Sequence, residues 1–190
     1  MSYLSQEQIE AMGFNRIGKN VKISSKASIY DAAKIEIGDH SRIDDFCLIS
    51  GKVMIGAYNH ITPMCLIAGG KPGVFFSDFC TLAYGVKIFS QSDDYSGGTL
   101  TNSLIPKRYK NETFGKVVLS KHVIIGANST ILPGVEVAEG CAVGAMSLLL
   151  KSTEPWGIYC GVPVQRLNER KKDLLTLEAK FMKEASNDSI

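Results

Sequence analysis

The chain has 190 residues, 45% of them apolar, which is enough for one domain with a packed interior rather than a disordered segment. Twenty-one basic against 19 acidic side chains leave a formal charge of +2, too balanced for a nucleic-acid footprint, so any anion recognition has to be local. The opening Met1-Ser2-Tyr3-Leu4-Ser5 lacks the basic and apolar runs of a signal peptide, and no stretch nears the roughly 20 apolar residues of a membrane span.

Residues 1–16 read as a small helical cap. Ser5 is the N-cap, Gln8 stands three residues later to complete a capping box, and Gly13 is the stop before Phe14. From Ile17 a different period takes over. Aliphatic side chains recur every six positions: Ile17, Ile23 and Ile29; after a two-residue offset, Ile37, Ile43, Ile49, Ile55, Ile61 and Ile67; after a three-residue offset, Phe76, Leu82 and Ile88. A long interruption follows, residues 93–116, and the beat resumes with Leu119, Ile125, Ile131, Val137, Val143 and Leu149. A period of six fits neither a helix nor simple strand alternation. It fits a coil of three flat faces with one inward aliphatic on each, so eighteen hexads predict about six stacked coils of parallel strands across residues 17–165. Glycine often follows the aliphatic, as in Ile37-Gly38 and Ile125-Gly126, where a Cβ or the backbone would otherwise clash at a corner. Residues 166–190 read as a terminal helix and tail. Leu167, Leu174, Leu177 and Phe181 make its apolar stripe, its role is to cap the open end of the solenoid, and residues 185–190 fray. The five cysteines, Cys47, Cys65, Cys80, Cys141 and Cys160, are scattered without a CxxC pair, which suits a reduced, cytoplasmic setting with most thiols packed as small apolar groups.

These hexads, with Val123-Ile124-Ile125-Gly126-Ala127-Asn128-Ser129, Val143-Gly144-Ala145-Met146-Ser147 and Pro155 to Pro163, resemble the hexapeptide-repeat acyltransferases. The resemblance covers about Ile17 to Leu167. It implies a left-handed parallel β-helix, a homotrimer, and active sites between neighbouring subunits that each hold an extended acyl-CoA, with no membrane insertion and no nucleic acid. Hexapeptide-repeat carbonic anhydrases need three zinc-binding histidines, whereas His40, His60 and His122 show no HxxxxH spacing, so no metal is expected.

In related sugar O-acetyltransferases a histidine near the start of the long loop deprotonates the acceptor hydroxyl. Its column falls here on Asp93, with Asp94 next, and no histidine takes its place. An alcohol needs a strong base to become a nucleophile; a neutral amine attacks a thioester by itself, and a carboxylate suffices to orient it. The acceptor is therefore expected to be an amino sugar. The segment Gln91-Ser92-Asp93-Asp94-Tyr95-Ser96-Gly97 also resembles N-acyltransferases acting on dTDP-4-amino-4,6-dideoxyglucose, for surface glycans, which places Asp94 beside the amine, with Asp93 as the second candidate catalytic residue. Tyr84 and Tyr95 are candidate substrate contacts. Lys107, Arg108 and Tyr109 are a candidate cationic and aromatic clamp for a nucleotide diphosphate, the bland alternative being a solvated loop tip.

For the acyl-CoA, Ala127 and Ala145 lie eighteen residues apart, one coil above the other, and the resemblance gives their main chain to the cofactor. It gives Lys151 and the turn at Pro163 to the same ligand. Gln165 stands where the family usually has a basic residue, and Arg166 or Lys171 is the candidate replacement to supply the charge for its phosphates. A backbone N–H near Tyr84-Gly85 or in the Leu82 hexad is the expected oxyanion donor. The competing readings are a sugar O-acetyltransferase of the galactoside or maltose type and a scaffold that binds no CoA.

Overall fold

All eighteen aliphatics of the six-residue beat occupy equivalent places in the structure, a computed structural model that describes residues 2–187. Ile17, Ile37, Ile55, Phe76, Leu119 and Val137 stand in register along a first parallel sheet. The second sheet aligns Ile23 through Val143 in the same manner, and the third aligns Ile29 through Leu149. The three sheets are the walls of a left-handed parallel β-helix with six complete coils; Gly157–Gly161 adds a strand of a seventh to the second wall. Almost every inward aliphatic is fully buried, each worth about 1.5–3 kcal/mol against an exposed reference. Four of the cysteines are buried with them, and burial pushes the Cys80 thiol up to about 12, so these side chains act as packing groups.

The corners separate two demands that the sequence merges. Glycine directly after the aliphatic serves close approach between coils: a Cβ on Gly38 would sit 2.5 Å from the carbonyl carbon of Gly56, and one on Gly126 would sit 2.4 Å from the Ala145 nitrogen. The left-handed backbone falls two residues later and is carried mostly by side-chain-bearing residues. At the first corner these are Asn20, His40, Tyr58, Phe79, His122 and Trp156. Four of their rings make a ladder, with centroid separations of 4.9 Å for His40–Tyr58, 5.0 Å for Tyr58–Phe79 and 5.4 Å for Phe79–His122. Gly140 is the exception in that column, and its missing side chain makes room for the indole of Trp156.

The N-terminal helix α1, Gln6–Ala11, has the expected capping box between Ser5 and Gln8. It drops Ile9 into the core and thereby covers the open end of the first coil. At the other end the structure departs from the sequence-based expectation. Arg166 does not open a helix: Val164–Glu169 is a strand that turns back antiparallel on Gly157–Gly161 and supplies a partner to the last strand of the second sheet. Leu167 lies on this strand. Helix α2, Asp173–Asn187, starts later and caps no end. It runs along the first corner, where Glu178 pairs with Lys121 and, at 2.8 Å, with His122, and Phe181 packs edge-on against Tyr58 and Phe79. Helical geometry therefore extends into the stretch expected to fray; residues 188–190 lie outside the described residues.

Candidate active site

The second corner, between the second and third sheets, is unbroken through all six coils. Tyr84 belongs to it, one coil below Ala127, as the Asn128 N–H donating to the Tyr84 carbonyl at 2.8 Å records; Met146 N–H to Ala127 carbonyl, also 2.8 Å, places Ala145 one coil further up. The hairpin turn at Val162-Pro163 continues the line, because the Gly161 N–H donates to Ser147 Oγ at 3.2 Å. Tyr84, Ala127, Ala145 and Pro163 thus form one column. The N–H groups of Tyr84, Ala127 and Ala145 have no hydrogen-bond partner among the described residues, so this edge offers a ladder of donors to an extended ligand. The Gly85 N–H is unsuited to an oxyanion, since it already donates to the Pro63 carbonyl at 3.1 Å; the Tyr84 N–H is the one left open.

The third corner is the opposite of regular. All three offsets in the six-residue beat occur there: the 3-10 turn Ala32–Lys34, the Gly69-Gly70-Lys71-Pro72-Gly73 insertion, and the long loop. The loop has a base of its own, an antiparallel pair of Gln91–Ser92 with Thr113–Phe114, and is braced higher up by Leu100 N–H to the Tyr109 carbonyl. Within it Asp94 is held from both oxygens. Ser96 N–H donates to Oδ1 at 2.8 Å and Thr99 Oγ1 to Oδ2 at 2.9 Å. Hydrogen bonds from Ser96 first, and from Thr99, keep this carboxyl below its ordinary value. Asp93 takes a weaker bond from the Asn102 N–H, 3.3 Å. Tyr95 projects freely, 93% exposed.

The expected clamp divides. Arg108 lies over the Tyr109 ring at 4.8 Å and the two face a cavity shared with Thr99 and Leu100. Lys107 faces the other way, into a cavity of about 620 Å³ lined also by Lys71, Pro72, Lys110, Glu112 and Phe114. An adjoining cavity of about 430 Å³ shares Lys71, Lys107 and Phe114 and brings in Asp93. Lys71 is the residue that the sequence reading passed over. Its signal was the three-residue offset, which marks where chain leaves the coil.

The two groups of candidate residues lie apart on the solenoid. The column of Tyr84, Ala127 and Ala145 and the loop of Asp93 and Asp94 stand at opposite edges of the third sheet. Lys151 stands on the loop's side of that sheet, exposed and without an ion pair among the described residues. Arg166 is less available than expected, since its guanidinium donates to Glu169 at 2.6 Å; Lys171 is exposed just before α2. No helix among the described residues is long and apolar enough to cross a membrane, and no group of three or more His, Cys, Asp or Glu residues among them is placed to hold a metal ion.

No protein-family model matches the chain. Across its whole length it is 41% identical to a dTDP-4-amino-4,6-dideoxy-D-glucose acyltransferase of Escherichia coli, and the alignment covers all of that protein. Its fold superimposes on AntD, an N-acyltransferase from Bacillus cereus in complex with dTDP and 3-hydroxybutyryl-CoA, with a TM-score of 0.96 and 47% identity over 97% of this chain and 98% of the other. A variant of AntD in complex with dTDP-4-amino-4,6-dideoxyglucose and coenzyme A matches at a TM-score of 0.95 and 48% identity, over 96% and 98% of the two chains.

Proposed function

Because the chain belongs to the dTDP-4-amino-4,6-dideoxyglucose N-acyltransferase family, we propose that it transfers an acyl group from an acyl-CoA to the amine of that nucleotide-linked sugar, for surface glycan synthesis. The acceptor nitrogen attacks the thioester carbonyl, an N–C bond forms, the C–S bond breaks, and the coenzyme thiolate takes the proton that the amine gives up. Acetyl is the default acyl group.

The observation that carries the choice of an amine over a hydroxyl is the state of Asp94. Its hydrogen bonds favour the ionised form, which makes it a poor base for an alcohol but a good anchor for an amine. Each oxygen keeps a lone pair beyond the bonds it already accepts, so Asp94 orients the nucleophile while the leaving thiolate completes the proton transfer. Asp93 borders the acceptor. The open N–H groups of Tyr84, Ala127 and Ala145 align the pantetheine and polarise the carbonyl. Pro163 lies against the adenine, and Lys151, with Arg166 or Lys171, pairs with the phosphates. Tyr84 and Tyr95 flank the reacting centre, while Lys107, Arg108 and Tyr109 serve the nucleotide.

This division requires more than one copy. The donor column and the acceptor loop sit on different edges, so the loop of one subunit completes the column of the next in a homotrimer, in the cytoplasm, where both substrates are made available. On this reading residues 17–165 carry the chemistry and the terminal segments brace them. The test is direct: purified protein, acetyl-CoA, and either dTDP-4-amino-4,6-dideoxyglucose or its 4-hydroxy counterpart, with release of coenzyme thiol as the readout. Turnover with the amine alone is expected; turnover with the hydroxyl sugar alone would turn the assignment to O-acetylation.

A further inference from the structure

We infer that Lys71 and Lys107 are the cations that receive the diphosphate of the sugar nucleotide, with Phe114 as the platform for its base, an inference that rests on the N-acyltransferase reading above. Lys71 reaches the larger cavity from the coil corner and Lys107 reaches it from the loop. Neither has an ion pair among the described residues. The third lysine of the wall, Lys110, is already neutralised by Glu112 at 3.2 Å, and both side chains of that pair are largely buried. Two uncompensated positive charges therefore face one space beside a half-exposed phenyl ring. A flexible dianion with an aromatic head fits such a lining; an apolar or cationic ligand does not.

The chemistry of the acceptor fixes where these cations belong. Its amine is on C4, across the pyranose ring from the anomeric carbon that bears the diphosphate. An amine at Asp94 consequently puts the first phosphate about one sugar ring away. Asp93, the chain neighbour of Asp94, borders the smaller cavity and not the larger, while Lys71 and Lys107 line both, so the two lysines share a continuous space with the start of the acceptor loop. Lys71 is also held in place: Gly70 and Gly73 adopt positive φ, and a Cβ on Gly73 would lie 2.8 Å from the Phe75 ring, so the insertion is packed down onto the coil. Arg108 and Tyr109, which open on a separate cavity, drop out of the diphosphate clamp and are left to other parts of the nucleotide or to a neighbouring subunit.

Lys71→Gln and Lys107→Gln test this. Each is expected to raise the KM for the amino sugar nucleotide by about tenfold or more, with the KM for acetyl-CoA and the melting temperature unchanged. A KM for the sugar nucleotide within twofold of wild type in both variants overturns the inference. A measurement on the unaltered protein guards against variants that misfold: saturating dTDP, but not thymidine, should shield Lys71 and Lys107 from an amine-acylating reagent read by peptide mass spectrometry, and equal labelling with and without dTDP overturns it. Wild-type protein that is shielded by dTDP yet does not acylate the amino sugar removes the proposed reaction and leaves the diphosphate cradle; acylation with no shielding does the reverse.

Discussion

Two corners of the same solenoid are built on opposite plans. At the second corner every coil repeats its neighbour, and the result is a straight line of Tyr84, Ala127, Ala145 and the Val162-Pro163 turn, with main-chain donors at fixed spacing. At the third corner no insertion repeats another, and the result is a loop, two lysine-lined cavities and the Asp93-Asp94 pair. The contrast has a physical basis. A long linear ligand shared by many proteins is matched by repetition of backbone, which tolerates side-chain change. A particular acceptor has to be matched by side chains, and these need chain that has left the repeat. The expected consequence is that changes at the two corners alter different kinetic parameters.

The largest effect should come from the irregular corner. Asp94→Asn keeps the shape but removes the charge proposed to orient the amine, and it is expected to lower kcat by about 10²-fold while acetyl-CoA binding, followed by calorimetry, is retained. Near-normal turnover would remove Asp94 from the mechanism. At the regular corner, Ala127→Leu places a branched side chain across the donor line. A rise of about tenfold or more in the KM for acetyl-CoA is expected, with dTDP affinity unaffected; coupled changes in both would mean that the two corners do not work separately. Gly126→Ala probes the repetition itself, because the new methyl meets the Ala145 backbone. A loss of about 1–3 kcal/mol is expected, seen as a fall of about 2–12 °C in Tm. The smallest effect is a null shift. The hydrogen bonds of Asp94 lower its pKa, so its charge, and any stability gained from those bonds, persists above the ordinary carboxylate value and fades only as pH falls through the depressed one. Between about pH 5 and 9 the acid limb of kcat/KM should then report the acceptor ammonium and keep its midpoint when Asp94 is changed. A limb that moves with Asp94→Asn would make this residue the titrating base.

The contrast between corners also governs what could be read from residue order alone. Repetition is periodic, so Ile17 to Leu149 gave the walls, the register and the stacking of Ala145 over Ala127. The capping box of Ser5 and Gln8 is local and was equally legible. The place of Lys71 was not, because the cavity it lines depends on a loop that returns from 36 residues further along the chain to make the other wall. The end of the chain misled for another reason. Leu167, Leu174 and Leu177 are compatible with a helical stripe, but the second sheet had an unpaired edge, and the turn at Val162-Pro163 sent Val164–Glu169 back to pair with it before any helix could begin. The partner of α2 was hidden in the same way, since nothing near Glu178 in sequence points to His122.

That helix has an arithmetic of its own. Coils are stacked about 4.8 Å apart and a helix climbs about 1.5 Å per residue, so close to three helical residues span one storey of the tower. Glu178 meets the storey of His122, and Phe181, three residues on, meets the storeys of Phe79 and Tyr58. The terminal helix is therefore a measuring rod laid against the first corner. A descendant that gained or lost a whole coil above Phe79 would break this pitch unless its last segment changed length in steps of about three residues, which ties the height of the solenoid to the tail that follows it.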